Sequence, residues 1–166
     1  QRAIREAVRE FGESEIRPIA KEYNEAERYP EELRQQAADL DLVAPHIPEA
    51  YGGAGMDGVS TVIVTEELWR ADPGVGGSIA AADFWTGMIL EYGEKDGDEY
   101  VINGNKMWIT NGTVADVYIV MAKTTPEDGH AGITAFLTEA DRDGIESSRI
   151  TNKLGIHAQD TAEVRF

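Results

Sequence analysis

Cysteine is absent from this sequence of 166 residues, and lysine is scarce, with 5 lysines against 10 arginines. The missing thiol excludes disulfides, cysteine nucleophiles and zinc or iron–sulfur centres held by cysteine. Cations are also outnumbered, because 15 basic residues face 31 acidic ones and leave a net charge of −16. Such a chain is a poor candidate for nucleic-acid binding, since phosphate contacts need clustered Lys and Arg.

Long apolar runs are lacking too, and no segment predicts a membrane span. The least polar stretch, residues 73–90, contains Asp83 and several glycines, which favours a buried helix. The sequence begins at Gln1 and continues into a charged helical pattern rather than a signal peptide, so a cytoplasmic protein is expected. The acids are dispersed and 42% of residues are hydrophobic, which argues against disorder and indicates a salt-adapted, halophilic surface.

Apolar residues recur at helical spacing in the first half of the chain. The first stripe comprises Ile4, Val8, Phe11, Ile16 and Ile19. Pro18 should kink or break this helix. Tyr29-Pro30 followed by two glutamates predicts a second helix start, and the glycines and prolines of residues 44–57 predict a loop. Further helices are expected over residues 58–70 and from Asp72-Pro73 to about residue 92.

The apolar period becomes two after Gly93. Residues 99–102 and 106–110 flank Asn103-Gly104-Asn105, which predicts a β-hairpin. Four more strands are expected over residues 117–122, 132–138, 145–150 and 161–166. The sequence therefore predicts an α+β fold, with an N-terminal helical domain over residues 1–93 and an incomplete antiparallel, β-barrel-like domain over residues 94–166.

Isolated polar residues give weak signals. His46, His130 and His157 are scattered over loops without metal-ligand spacing, so no metal site is predicted. Glu66 and Glu67 are expected on a solvated helix face, and from pattern alone Trp108 is expected to be a packing aromatic.

Three segments carry a more specific pattern. They are residues 47–57 (IPEAYGGAGMD), residues 100–112 (YVINGNKMWITNG) and residues 153–161 (KLGIHAQDT). In this order they resemble the acyl-CoA dehydrogenase family over nearly the whole chain, and the second segment is the most specific of the three.

The resemblance implies a flavoprotein oxidoreductase of the EC 1.3 class that uses FAD to oxidise an acyl-CoA thioester to its 2,3-enoyl form. It implies that Trp108 packs at the flavin ring, and that Ile109 and Thr110 contact the ring through backbone and hydroxyl. The implied partners are the acyl-CoA substrate, an electron-transfer flavoprotein as acceptor, and further copies of the chain in a homotetramer or homodimer.

The same resemblance places Gly77, Ala80 and Phe84 near the tunnel for the acyl chain. Their spacing puts them on one helix face. Close helix packing explains small residues there equally well. Phe84 is hypothesised to shorten the tunnel and favour short or branched acyl groups.

Two parts of the family pattern have no counterpart. Gly93 runs directly into Glu94 where the family has a connecting segment with a flavin-contacting motif, and the C-terminal helical domain that carries the catalytic glutamate is missing. The catalytic base is therefore unassigned and is expected in a longer protein, of which this chain would be a part. The alternatives are a catalytically dead or truncated member that acts as a binding or oligomerisation module, a non-enzymatic adaptor, and a related acyl-CoA oxidase or nitroalkane oxidase.

Overall fold

The computed structural model describes residues 1–81 and 100–166. The chain divides into a helical unit, described over residues 1–81 and 151–160, and a β unit, described over residues 100–150 and 161–166. Helices come first and antiparallel strands second, which confirms the α+β prediction. The expected boundary after Gly93 lies outside the described residues.

The described helices of the helical unit are α1 Arg2–Phe11, α2 Arg17–Glu25, α3 Glu31–Asp39, α4 Gly58–Ala71 and α5 Val75–Ala80. A π-helical segment, Gly12–Ile16, connects α1 to α2, and Pro18 is the second residue of α2. Proline has no N–H and its ring crowds the preceding turn, and a wider turn accommodates both effects. The predicted disturbance at Pro18 is therefore a π-helical turn rather than a chain break.

An aspartate side chain accepts hydrogen bonds at the start of each of the last two of these helices, α4 and α5. At the start of α4, Asp57 accepts a hydrogen bond from the Ser60 N–H at 2.7 Å. At the start of α5, Asp72 accepts from the N–H groups of Gly74 and Val75 at 2.9 and 2.8 Å. Both side chains satisfy donors that the first helical turn leaves free, which explains why the helices begin here. The predicted continuation of the last helix beyond residue 81, with Asp83 and Phe84, lies outside the described residues.

The core of the helical unit is apolar and draws on every described α-helix. Its fully buried large members include Val8, Ile16, Val64, Leu68, Val75 and Ile79. Spacings of three and four residues along α4 and α5 bring these side chains onto inward faces.

Residues 151–160 belong to the helical unit although they follow four strands in the sequence. The Asn152 N–H donates to both carboxylate oxygens of Glu27 at 3.1 Å. The Ala158 N–H donates to Asn24 Oδ1 at 3.2 Å, and the Ala158 side chain is buried in the helical core. The two units are therefore interleaved along the chain.

The β unit contains two antiparallel sheets. Strands β1 Asn105–Thr110, β5 Thr161–Arg165 and β4 Glu146–Arg149 form one sheet in the order β1-β5-β4. Strands β2 Val117–Lys123 and β3 Ile133–Glu139 form the other. Over the described residues neither sheet closes, because the outer strands β1 and β4 do not pair with each other and the second sheet has two strands only. The expected barrel-like domain is corrected to two open antiparallel sheets.

The hairpin predicted around Asn103-Gly104 is wrong. Residues 100–104 form no strand, and β1 pairs with β5 instead. Gly104 and Phe166 exchange two backbone hydrogen bonds, of 3.0 and 2.9 Å. A type I′ turn needs left-handed backbone at both central residues, whereas Asn103 has a negative φ. Long-range pairing with the last strand therefore outweighs the local turn preference.

The remaining strand predictions are confirmed to within one or two residues. Strands β2 and β3 pair in register from Val117 opposite Glu139 to Lys123 opposite Ile133. Alternation along β2 buries Tyr118 and Val120 in a core shared with Ala162 and Val164 of β5. As for membrane association, the helices over residues 1–81 and 100–166 are all too short or too polar to cross a bilayer.

Candidate functional site

Strand β1 contains a β-bulge at its centre. Lys106 is opposite Val164 and Ile109 is opposite Ala162, so β1 has one residue more than β5 between the two pairs. We call Met107 and Trp108, the two residues between these pairs, the Trp108 bulge. Bulges re-aim side chains and recur beside functional sites.

Trp108 has an unfavourable backbone conformation. Its φ is +63°, in the left-handed region that bulky side chains rarely occupy. Its side chain is nonetheless 65% exposed, so it is not the core aromatic that the pattern alone would favour. Backbone strain of this kind persists where surrounding structure enforces it, and it clusters at functional sites.

The bulge shifts the phase of the strand for the residues after it. Ile109 is partly buried and packs against the core of Tyr118, Val120, Ala162 and Val164, whereas Thr110 is exposed. The structure therefore brings the three residues Trp108, Ile109 and Thr110 together with different roles. Trp108 and Thr110 are available for a ligand, and Ile109 anchors the strand.

A turn after β1 adds a polar group that the sequence analysis missed. Asn111 has a left-handed φ of +59°, and its carbonyl accepts hydrogen bonds from the N–H groups of Val114 and Ala115. Its side-chain Oδ1 is buried and finds no hydrogen-bond partner in the described part of the chain. The Asn111-Gly112 pair is a recognised turn signal and could have identified this position.

These groups fit a planar, conjugated ligand. An exposed indole offers an apolar wall, and the Thr110 hydroxyl can donate or accept a hydrogen bond. The orphaned Asn111 Oδ1 is a further acceptor in the turn that follows. A flavin needs such a wall and a few hydrogen bonds at its edge. The residues present therefore fit the cofactor that the resemblance implies.

The residues predicted to line an acyl tunnel are placed differently. Gly77 and Ala80 of α5 are buried within the helical unit, and Phe84 lies outside the described residues. A Cβ atom added at Gly77 would lie 3.2 Å from the ring of Trp69. The described contacts of Gly77 are those of close packing, and its place in a tunnel stays a prediction.

The expectation that Glu66 and Glu67 both lie on a solvated face is wrong for Glu67. Its side chain is 1% exposed and binds three arginines, with Arg5 at 2.7 Å, Arg9 at 2.7 and 3.0 Å and Arg70 at 2.7 Å. We call these four residues the Glu67 cluster. The hydrogen bonds, those from Arg9 foremost, outweigh burial and lower the pKa of Glu67 to about 2.

The Glu67 cluster joins elements of the helical core rather than forming a reactive site. Arg5 and Arg9 lie on α1, and Glu67 and Arg70 lie on α4. All of the described acceptors on the Glu67 carboxylate are occupied by guanidinium donors, and its lowered pKa keeps it ionised. A carboxylate in this state is a poor proton acceptor, so we assign the cluster a structural role.

The third resembling segment forms a tethered loop in the helical unit. Leu154 is fully exposed, and Ile156 has a left-handed φ of +54° although it is β-branched. Lys153 Nζ donates to the Gln159 carbonyl across the loop. The Nε2 atom of His157 is buried and has no hydrogen-bond partner among the residues that the structure describes.

Two family models match the chain. The model described as "Acyl-CoA dehydrogenase, N-terminal domain" matches residues 1–103. The model described as "Acyl-CoA dehydrogenase, middle domain" matches residues 68–166.

Relatives with known names agree. A short-chain specific acyl-CoA dehydrogenase of Clostridium acetobutylicum is 32% identical over 206 positions, which cover 100% of this chain and 54% of that protein. A probable acyl-CoA dehydrogenase of Mycobacterium tuberculosis is 34% identical over 202 positions, covering 98% of this chain and 52% of that protein. The chain spans about half the length of the relatives it matches.

Solved structures show the same fold. Butyryl-CoA dehydrogenase of Megasphaera elsdenii matches with a TM-score of 0.89 and 28% identity, over 100% of this chain and 55% of that one. A chain from a study of the electron transferring flavoprotein of Acidaminococcus fermentans matches with a TM-score of 0.92 and 28% identity, over 100% of this chain and 54% of that one. On these matches and on the two family models, the chain belongs to the acyl-CoA dehydrogenase family.

Proposed function

We propose that this chain is the flavin-binding part of an acyl-CoA dehydrogenase that oxidises an acyl-CoA thioester to its 2,3-enoyl form. In that reaction the substrate loses a proton from its α carbon and a hydride from its β carbon. The observation that carries the proposal is the Trp108 bulge, a strained and exposed aromatic within the part of the chain that matches the middle domain of the family.

In the proposed site, Trp108, Ile109 and Thr110 have different roles. FAD, when bound, supplies the two-electron chemistry. Trp108 provides an apolar wall that excludes water from one side of the ring. Thr110 offers a hydroxyl at the ring edge, and Ile109 fixes both neighbours by packing into the β core.

The proposed contacts with the acyl-CoA substrate come from the N-terminal helical part of the chain. We propose that residues 1–93 form the N-terminal domain and residues 94–166 the middle domain, and that Gly77, Ala80 and Phe84 border the acyl chain. An electron-transfer flavoprotein is the proposed electron acceptor, and a homotetramer or homodimer is the proposed assembly. The acidic surface, with its net charge of −16, is proposed to be salt-adapted.

The catalytic base is proposed to lie in sequence beyond this chain, in the C-terminal domain that the family resemblance implies. The buried carboxylate of Glu67 is already saturated by arginine donors. The first relative aligns over 206 positions whereas this chain has 166 residues, so 40 aligned positions have no residue here. The predicted junction between Gly93 and Glu94 is the proposed place of that difference.

The same length difference favours a second candidate function. A chain that lacks these 40 positions and the base could bind FAD or acyl-CoA without turnover, as a binding or oligomerisation module. The two candidates differ in whether acyl-CoA bleaches the bound flavin.

Titration of the purified chain with FAD tests the proposal. We expect a flavin absorption spectrum that co-elutes with the protein, and at least tenfold weaker binding for Trp108→Ala than for the wild type. Trp69→Phe, which alters an aromatic of the helical unit, is the matched control and should bind FAD as the wild type does. A chain that stays colourless at saturating FAD would refute the flavin site.

Two further measurements separate the candidate functions. Intact-mass spectrometry decides whether the protein is 18.2 kDa or a longer enzyme. Anaerobic addition of butyryl-CoA should bleach the flavin of an active dehydrogenase, whereas a binding module should keep its colour.

A further inference from the structure

Backbone hydrogen bonds fix both ends of strand β1, on either side of the strained Trp108. Upstream, Gly104 and Phe166 exchange backbone hydrogen bonds of 3.0 and 2.9 Å. Downstream, the Gly112 N–H donates to the Ile109 carbonyl at 3.3 Å and closes a tight turn. A left-handed Trp is unfavourable and persists only where the surrounding structure enforces it, and these two anchors flank the bulge on either side.

Gly112 is the residue on which the downstream anchor depends. A Cβ atom added there would lie 2.6 Å from the Ala162 Cβ, so the backbone of the turn lies directly against β5. This close approach leaves the Gly112 carbonyl inside the unit, where it needs a donor.

Tyr118 of β2 supplies that donor. Its hydroxyl donates to the Gly112 carbonyl at 2.5 Å, and its side chain is 8% exposed. The Tyr118 ring also packs edge-on against Phe166, with ring centroids 6.0 Å apart and an angle of 83° between the planes. One side chain therefore contacts the downstream anchor through its hydroxyl and the upstream anchor through its ring.

We infer that Tyr118 is a positioning residue that holds the Trp108 bulge, and through it the flavin-facing surface of Trp108 and Thr110. The identity of the ligand, FAD, rests on the proposed function. The contacts of Tyr118 with Gly112 and Phe166 do not depend on it. Tyr118 has no direct part in binding, because its side chain is enclosed in the β core with Val120, Ala162 and Val164.

The test compares Tyr118→Phe with Val120→Ala. Tyr118→Phe keeps the ring contact with Phe166 and removes only the hydrogen bond to Gly112. Val120→Ala removes two carbon atoms from the same core and no hydrogen bond, so it reports what a general loosening of the β unit does.

The first readout needs no flavin. The chain is labelled with 5-fluorotryptophan, and the fluorine resonance of Trp108 is assigned with Trp108→Phe. We expect Tyr118→Phe to shift or broaden the Trp108 resonance while the Trp69 resonance stays in place. A Trp108 resonance that is unchanged, or that moves equally in Val120→Ala, would overturn the inference.

The second readout is FAD affinity. We expect Tyr118→Phe to weaken FAD binding by about three- to tenfold, as for the loss of one buried hydrogen bond, with a smaller change in Val120→Ala. Equal weakening in both variants would show a merely structural role and contradict the inference. If even the wild-type chain fails to bind FAD, the proposed function fails, and the Trp108 resonance still decides the positioning role.

Discussion

The Glu67 cluster and the Trp108 bulge each contain an unfavourable feature, a buried charge in the first and a left-handed tryptophan in the second. The charge is fully compensated by partners, whereas the tryptophan is left exposed. The helical unit buries a carboxylate and surrounds it with the guanidinium groups of Arg5, Arg9 and Arg70. The β unit holds an aromatic residue in left-handed backbone and leaves its side chain 65% exposed. The turn that follows contains Asn111, whose Oδ1 has no hydrogen-bond partner in the described part of the chain.

The contrast separates a structural polar group from a candidate site. A buried charge with every acceptor occupied has nothing left to offer a ligand, and its removal affects stability. A strained and exposed side chain adds little to stability, because it buries little area, and is retained where a ligand or reaction needs it. The two regions should therefore respond to substitution in opposite ways.

The largest effect is expected at Glu67. Glu67→Gln removes the charge that three arginines share, and we expect the free energy of unfolding of the helical unit to fall by about 3 kcal/mol. Glu66→Gln is the matched control, since Glu66 is exposed and forms a salt bridge with Arg5, and it should cost less than about 1 kcal/mol. Urea unfolding followed by far-ultraviolet circular dichroism measures both. Equal losses would show that burial of Glu67 has no energetic consequence.

A pH series tests the same cluster in the wild type, because acid protonates Glu67 without replacing it. The pKa of Glu67 in the folded chain is lowered to about 2, from an ordinary value of 4.5. Because the folded pKa is the lower one, the contribution is complete above about pH 4.5 and is lost as the pH falls towards 2. The wild type should lose about 3 kcal/mol more over this range than Glu67→Gln. Parallel pH curves for the two proteins would contradict the lowered pKa.

A smaller effect is expected for two adjacent glycines of α5. A Cβ atom at Gly76 would lie 1.9 Å from the Leu68 carbonyl oxygen, and one at Gly77 would lie 3.2 Å from the Trp69 ring. Gly76→Ala must displace backbone and should cost about 1–3 kcal/mol. Gly77→Ala needs only a small movement of a side chain and gains about 1 kcal/mol of helix propensity, so it should be nearly neutral. Thermal unfolding of the two variants distinguishes them, and the reverse order would contradict the packing described for α5.

The smallest effect on stability is expected at Trp108. Trp108→Gly removes an exposed side chain and relieves the left-handed strain, so stability should stay within about 1 kcal/mol of the wild type. FAD binding should nevertheless be lost, in contrast to Glu66→Gln, which leaves it unchanged. A variant that loses several kcal/mol would mean that Trp108 is a packing residue after all.

Local patterns predicted most of the secondary structure. The helix starts near Glu31 and Gly58 follow from proline, acidic residues and an aspartate cap, and these signals act within one turn. The strand pair β2 and β3 follows from alternation between turn residues. The hairpin at Asn103-Gly104 failed because the partner of β1 is β5, about 60 residues further along the chain, and local preference cannot report such a pairing.

The candidate site was only partly predictable. The family resemblance pointed to Trp108, Ile109 and Thr110, and the structure adds that a bulge gives these three residues different exposure. Tyr118 gave no signal, because a tyrosine at an inward strand position is typical of any core. Glu67 was misjudged for a similar reason, since the sequence does not show that α1 brings Arg5 and Arg9 to its carboxylate.

The sequence by itself determined the composition-based exclusions, the order of helices before strands, and the family to which the chain is similar. These follow from residue types and from spacings within one element. Only the tertiary structure decided that Glu67 is buried, that Gly77 packs against Trp69, and that Tyr118 contacts both anchors of the Trp108 bulge. Each of these depends on contacts between different elements, because burial and hydrogen bonding are set by which elements meet.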